Sequence, residues 1–125
     1  FADMGAWSPE HVRTDLTRTL DVIRTALEDP TYPVPYWRAP NGSWGVTPQV
    51  AVELGMQPLA VTGVIGDWET QDRAVLTERL RAVMTPGAIV LAHDGGGARG
   101  GTIAAVRRVV DERLAQGWRF TLPAR

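Results

Sequence analysis

Polar residues of the kinds used in catalysis follow three apolar segments of this sequence. Arg38 follows the first segment, Asp67 and Trp68 follow the second, and His93 follows the third. If these segments are neighbouring parallel strands, their carboxyl ends meet where α/β proteins carry their active sites. Imidazole exchanges protons near neutral pH, so a histidine delivered there by an apolar strand suits a general acid or base. The alternative is a histidine that only ends a strand.

Helices and strands must alternate along the chain to position these residues in that way. Helices are predicted for residues 9–27, 48–54, 71–84 and from 102 to a stop at Gly117, and strands for residues 36–38, 59–64, 88–92 and 118–122. This alternation predicts an α/β fold with a parallel sheet.

Local sequence patterns predict the ends and the apolar faces of the helices. Ser8 and Pro9 form a hydroxyl cap followed by proline at the first helical position, and Thr47 is the expected cap of the second helix, which Gly55 ends. The predicted apolar faces are Val12, Leu16, Leu20, Ile23 and Leu27 in the first helix, Val75, Leu76, Leu80 and Val83 in the third, and Ile103, Val106, Val110 and Leu114 in the fourth.

Composition excludes several kinds of function. A chain of 125 residues suffices for one domain, and its net charge of -1 gives no reason to expect nucleic acid or a membrane as a partner. The chain has no cysteine, which excludes disulfides, thiolate metal sites and cysteine nucleophiles. The glycine-rich loop from Gly95 to Gly101 opens a helix but lacks the Gly-Lys-Ser/Thr ending of phosphate-binding loops. Phosphate binding by this loop is therefore disfavoured, and a Rossmann-like nucleotide-binding protein is kept as a further, disfavoured alternative.

Three short motifs, taken in order, resemble those of one enzyme family. The segment Arg38-Ala39-Pro40-Asn41-Gly42 is similar to an Arg-x-Pro-aromatic-Gly motif, Asp67-Trp68 to the end of Asp-x-x-Asp-Trp, and the segment from Ile89 to His93 to Ile-x-Leu-x-His. This is the order of the third, fourth and fifth motifs of the polysaccharide deacetylase family, also called the NodB homology domain or carbohydrate esterase family 4. The resemblance covers essentially the whole chain.

The resemblance implies part of a distorted (β/α) barrel of parallel strands, with residues 1–125 forming the C-terminal portion of one catalytic domain. The family's first motif, an Asp-Asp pair, and its second, His-x-x-x-His, do not occur here. In family order, Phe1 falls shortly after them. The N-terminal strands and the ligands of a divalent metal, zinc in our expectation, are therefore expected upstream of Phe1, with no metal ligand in this chain. The upstream half of the domain and a polysaccharide are the implied partners.

The family's reaction is the hydrolysis of acetyl groups, and the resemblance implies a role for each matching residue. His93 would be the general acid, Asp67 would hold it and favour its protonated form, and Arg38 would orient an aspartate base that lies outside this chain. The backbone N–H of Asn41 would donate to the oxyanion. The pocket for the acetyl group would be lined by Leu91, Trp68 and Pro40.

Two departures from the family motifs weaken parts of this assignment. Asn41 stands where the family has an aromatic residue, and Val64 stands at the first aspartate of the fourth motif. A catalytically inactive, carbohydrate-binding relative of the same fold is therefore the chief alternative. Among substrates we favour acetylxylan over chitin oligomers and peptidoglycan, because Asn41-Gly42-Ser43-Trp44 resembles deacetylase modules of enzymes that act on plant polysaccharides. A bacterial protein, secreted or at the cell surface, is expected.

Overall fold

Two successive β-α-β units carry the sheet structure of this protein. The computed structural model describes residues 3–123. The predicted place of Phe1, shortly after the family's second motif, therefore lies outside the described residues. The first unit ends at Ala60 and the second begins at Val61. In each unit two short strands pair in parallel and one helix connects them. The predicted α/β class with parallel strands is confirmed at this level, and closure into a barrel stays a prediction.

The first unit begins with a helix that the sequence predicted closely. Helix α1 is Pro9–Ala26, β1 is Tyr36–Trp37, α2 is Thr47–Glu53 and β2 is Gln57–Pro58. The Ser8 hydroxyl accepts a hydrogen bond from the His11 N–H at 3.3 Å, so the predicted cap is present. Val12, Leu16 and Leu20 are buried together with Val50 of α2. Helix α2 begins at Thr47 itself, whose hydroxyl donates to the Trp44 carbonyl at 2.6 Å and caps nothing.

The second unit has the same order of elements. Strand β3 is Gly63–Val64, α3 is Arg73–Val83, β4 is Val90–Leu91 and α4 is Gly100–Ala115. Its core consists of five apolar residues, namely Ile65, which follows β3, Leu76 and Leu80 of α3, and Ala105 and Val109 of α4. The two helices are also joined by Arg81, which donates to both carboxylate oxygens of Glu112 at 2.6 and 2.9 Å.

Several predicted helix faces were wrong in detail. Leu27, Val75, Ile103 and Leu114 are exposed rather than buried. Leu27 lies just beyond the end of α1, where Glu28 turns the chain with a φ of 53°. The buried side of α4 consists of the smaller residues Thr102, Ala105 and Val109, because they allow α4 to approach α3 closely.

The predicted strands are shorter than the apolar runs that indicated them. The run 59–64 is not one strand: β2 precedes it and pairs with β1, while β3 forms its end and pairs with β4. The run 88–92 is a strand only at Val90–Leu91, and these two residues are half-buried. The predicted strand 118–122 is absent, since the described residues offer it no partner strand and Leu122 is 78 % exposed. Among the described residues, no helix is both long and apolar enough to cross a membrane.

Candidate active site

Asp67 and His93 contact each other through two hydrogen bonds in the second unit. The backbone N–H of His93 donates to Oδ2 of Asp67 at 2.8 Å, and the ring Nδ1 lies 2.8 Å from Oδ1. Asp67 follows β3 and His93 follows β4, so the parallel pairing of these strands brings the two residues to the same end. The predicted contact between the Asp67 carboxylate and the His93 ring is confirmed.

The state of Asp67 determines which nitrogen of His93 is available for chemistry. Burial of the carboxyl group acts to raise its pKa, but the hydrogen bonds from the His93 ring, the His93 N–H and Thr102 outweigh burial and lower the pKa of Asp67. An ionised carboxylate only accepts hydrogen bonds, so Nδ1 of His93 carries a proton and donates it. Nε2 is thus not engaged by the carboxylate, and it belongs to a side chain that is 37 % exposed.

Trp68 lies beside the His93 ring. The two ring centroids are 5.9 Å apart and the planes meet at 82°, and Trp68 is 54 % exposed. An indole at a steep angle to the imidazole offers an apolar surface next to the His93 ring. Leu91, which is half-buried, pairs with Val64 across the two strands. The role of Trp68 and Leu91 as walls of an acetyl pocket stays a prediction.

Thr102 and Gln71 also contact Asp67, and sequence analysis missed both. The Thr102 hydroxyl lies 3.1 Å from Oδ2 of Asp67, and Thr102 is only 2 % exposed. The side-chain amide of Gln71 donates to the Asp67 carbonyl at 2.7 Å. A threonine and a glutamine at the starts of helices have many uses, so their types alone did not indicate this role. The sign that could have revealed Thr102 is its place on the small-residue stripe with Ala105 and Val109.

Arg99 connects the glycine-rich loop to the same aspartate. Its guanidinium donates to the Asp67 carbonyl at 2.7 Å and to the Gly95 carbonyl at 3.1 Å. The Asp67 carbonyl is therefore held by Gln71, which precedes α3, and by Arg99 of the loop between β4 and α4, while the carboxylate is held by His93 of that loop and by Thr102 of α4. The sequence predicted this segment as a loop but gave Arg99 no function.

The first unit holds the other predicted site residues. Asn41 is exposed and has φ 56° and ψ 9°, a left-handed conformation that asparagine tolerates better than most residues. Among the described residues, none accepts a hydrogen bond from the Asn41 N–H, whereas the next two N–H groups donate to Ala39 and Pro40. Arg38 is half-buried and pairs with no carboxylate in residues 3–123. Because Asp67 and His93 belong to the second unit, the convergence of Arg38 with them stays a prediction.

The side chains of the described residues do not form a metal site by themselves. Within residues 3–123 there is no group of three or more His, Cys, Asp or Glu side chains that could hold a metal ion. Asp67 and His93 use their facing atoms for each other. The residues described here thus do not fit a catalytic metal without further ligands.

The fold is similar to that of solved structures from carbohydrate esterase family 4. The wild-type protein BA3943 from Bacillus anthracis, described as a CE4 family pseudoenzyme, matches with a TM-score of 0.81 and 25 % identity over 94 % of this chain. A mutant of it with restored enzymatic activity matches with a TM-score of 0.82 and 26 % identity. No family model and no curated protein matches the sequence.

These neighbours define the class of protein. The chain has the fold of the polysaccharide deacetylases of carbohydrate esterase family 4, and the resemblance seen in its motifs is confirmed by the structure. It spans about 41 % of the length of the first of these solved structures.

Proposed function

We propose that this chain forms the acid-bearing portion of a polysaccharide deacetylase, an enzyme that removes acetyl groups from a carbohydrate polymer by hydrolysis. The observation that carries the proposal is the pair of hydrogen bonds between Asp67 and His93, which directs Nε2 of a partly exposed imidazole away from the carboxylate. A histidine that only ended a strand would not need to donate hydrogen bonds to a buried carboxylate from both its backbone N–H and its ring.

His93 acts as the general acid in this proposal. The proton on Nε2 passes to the leaving oxygen or nitrogen of the sugar as its bond to the acetyl carbon breaks. Asp67 keeps the ring in one orientation and stabilises the positive charge that the imidazolium carries before the transfer. Trp68, which is partly exposed beside the His93 ring, offers a face on which a sugar ring can stack.

Arg38 and Asn41 supply two further interactions. The N–H of Asn41 donates to the oxygen that becomes negative when water adds to the acetyl carbonyl, a role that depends on the backbone and tolerates the change of side chain. The guanidinium of Arg38 orients an aspartate base through a two-pronged contact. Both groups are without a recorded partner among residues 3–123, which supports these roles.

A divalent metal, zinc by our proposal, belongs to the complete site. Since the described residues do not supply its ligands, we propose that the ligands come from residues upstream of Phe1. That upstream half of the domain would be the structural partner of this chain. Acetylxylan is the favoured substrate, with chitin oligomers and peptidoglycan as the alternatives. All three are polymers found outside the cytoplasm, which supports a secreted or surface-bound bacterial protein.

A catalytically inactive, carbohydrate-binding relative is the second candidate. The similar Bacillus anthracis protein is itself called a pseudoenzyme, and a mutant of it has restored activity. The fold is therefore compatible with either state. Retention of both members of the Asp67–His93 pair favours the enzyme, because a binding surface has no need of a tuned acid.

The proposal is tested by measuring acetate release and zinc content together. The chain is expressed alone and joined to the residues that precede it in its natural protein, and each form is incubated with acetylxylan, acetylated chitin oligomers and peptidoglycan. We expect the longer form to bind one zinc and release acetate, and the chain alone to do neither. Binding of a polymer without acetate release would establish the inactive relative. Stoichiometric zinc or acetate release with the chain alone would refute the assignment of the ligands.

A further inference from the structure

We propose that Thr102 is a positioning residue whose hydroxyl fixes the Asp67 carboxylate and, through it, the His93 ring. Thr102 begins the buried side of α4 and lies 3.1 Å from Oδ2 of Asp67. Both residues are buried, so water does not replace this contact. The inference rests on the proposed function only where it concerns turnover.

The orientation of the Gln71 amide is determined by two backbone groups. Its oxygen accepts a hydrogen bond from the Thr102 N–H at 3.2 Å, and its nitrogen donates to the Asp67 carbonyl at 2.7 Å. A backbone N–H can only donate and a backbone carbonyl can only accept, so the amide cannot be reversed without losing both bonds. The amide nitrogen of Gln71 therefore faces the Thr102 hydroxyl, at 3.2 Å.

This arrangement directs the single hydroxyl hydrogen of Thr102. The hydroxyl oxygen accepts from the Gln71 nitrogen, and its own hydrogen has the Asp67 carboxylate at 3.1 Å or the Gln71 oxygen at 3.4 Å as an acceptor. The charged acceptor is closer and forms the stronger hydrogen bond. Thr102 accordingly donates to Asp67.

The three hydrogen-bond donors to Asp67 contact its two carboxylate oxygens differently. Oδ2 receives the Thr102 hydroxyl and the His93 N–H, while Oδ1 receives the His93 ring alone. With Oδ2 held from two directions the carboxylate cannot rotate, and Oδ1 stays in the plane where it meets Nδ1. Without the Thr102 hydroxyl, one hydrogen bond fewer restrains rotation of the Asp67 carboxylate. One of the donors that lower the pKa of Asp67 is lost as well.

The experiment compares Thr102→Val, Thr102→Ser and Thr77→Val in the complete protein that contains this chain. Valine keeps the branched shape and removes the hydroxyl, whereas serine keeps the hydroxyl. Thr77 is the matched control, because it is equally buried in the same unit but donates to the Arg73 carbonyl at 2.6 Å. The Asp67 carboxyl is titrated by carbon NMR with labelled aspartate, and acetate release is measured in parallel.

We expect Thr102→Val to move the titration midpoint of Asp67 upward, and Thr102→Ser and Thr77→Val to leave it in place. Turnover is expected to fall roughly 10-fold in Thr102→Val with little change in KM, as for other residues that orient a catalytic group without contacting the substrate. An unchanged midpoint in Thr102→Val would overturn the inference. If the parent itself releases no acetate, the proposed function fails, but the titration still decides the role of Thr102.

A measurement on the unaltered protein guards against a variant that does not fold. A hydroxyl hydrogen bonded to a buried carboxylate exchanges slowly with water, so the Thr102 hydroxyl proton should give a separate signal coupled to the Asp67 carboxyl carbon. The coupled signal would support the inference without any substitution. Rapid exchange of this proton with water would contradict it.

Discussion

A carboxylate that is 1 % exposed needs hydrogen-bond donors in place of water, and Asp67 finds three of them in His93 and Thr102. Removing one donor would leave a charged group both buried and under-satisfied, which is strongly unfavourable. His93 is in a different position, because its ring is partly exposed and only one of its nitrogens is engaged. Asp67 is thus held in place, whereas His93 has a ring nitrogen that, in the proposed function, can exchange a proton with a substrate.

Replacement of His93 tests its role directly. In the complete enzyme, His93→Ala should lower turnover by roughly 100-fold or more, the usual range for the loss of a general acid. Zinc content should not change, because His93 is not proposed as a ligand. His11→Ala is the matched control, since His11 is the other histidine and lies exposed on α1, stacked on Trp7. Loss of zinc in His93→Ala would reassign this residue to the metal.

The contact between Asp67 and His93 could be predicted from the sequence, but the residues that hold Asp67 could not. Asp67 and His93 could be predicted as neighbours because each follows a strand and adjacent parallel strands end together. Thr102 and Gln71 could not, because their contacts depend on where α3 and α4 begin relative to each other. That distance arises from packing between helices, and the sequence shows it only indirectly, through the smaller residues Thr102, Ala105 and Val109 on one side of α4.

At the scale of the elements, the start of α4 lies close to the segment that precedes α3. A Cβ atom on Gly101 would overlap the Gln71 carbonyl, and its absence allows Thr102 to reach both Gln71 and Asp67. The glycine-rich loop therefore has a packing function at its helical end. Its use as a phosphate cradle, already disfavoured by the sequence, is not needed to explain Gly101.

The close approach predicts different effects for two adjacent glycines. Gly101→Ala should lower the free energy of unfolding by about 1–3 kcal/mol, the usual range for overpacking a buried contact. Gly100→Ala is the control, because a Cβ there meets no atom within 4 Å. Because alanine has a higher helix propensity than glycine, Gly100→Ala should be as stable as the parent or slightly more stable. Denaturant unfolding measures both, and equal stability of the two variants would argue against the close approach.

The link between α3 and α4 should make stability depend on pH. Hydrogen bonds from Arg81 and then Arg108 lower the pKa of Glu112 to about 2. A carboxyl whose pKa is lowered on folding stabilises the protein above its ordinary pKa, here 4.5, and loses that contribution as the pH falls toward 2. We therefore expect Glu112→Gln to be less stable than the parent at pH 7, with the difference shrinking below pH 4.5.

Thermal unfolding of both proteins across this pH range measures the difference. Asp111→Asn is the control, because Asp111 lies on the same helix, is exposed and forms no ion pair among the described residues. Its difference from the parent should show no comparable change with pH. A difference between Glu112→Gln and the parent that stayed constant from pH 7 to pH 3 would contradict the stabilising role of Glu112.

Helices were more predictable than strands in this chain. The Ser8 cap and the apolar spacing from Val12 to Leu20 are local, so α1 begins where the sequence indicated. Strand length depends instead on which distant residues pair. The run 59–64 is mostly apolar, yet only its last two residues pair with β4, and the pairing partner of β1 lies just before it.

For the whole molecule, fold and activity are separate questions. The structure has the fold of carbohydrate esterase family 4, and the similar solved proteins include both a pseudoenzyme and its reactivated mutant. The motifs predicted this fold because each marks the end of a strand, where the family's chemistry lies. Barrel closure could not be judged in the same way, because it depends on strands that pair across long stretches of sequence.

The two β-α-β units have a consequence for how the chain folds. In each of them the strands that pair are joined by a single helix, Tyr36 with Gln57 in one and Gly63 with Val90 in the other. Because the entropy of loop closure grows only slowly with loop length, and each pair closes a loop within its own unit, neither pair has to wait for a distant segment. During synthesis the first pair can form before the residues that become α4 have left the ribosome. The Asp67 carboxylate, by contrast, gains its contact with Thr102 only after α4 is made, so the support of the proposed acid, His93, is completed after the strands have paired.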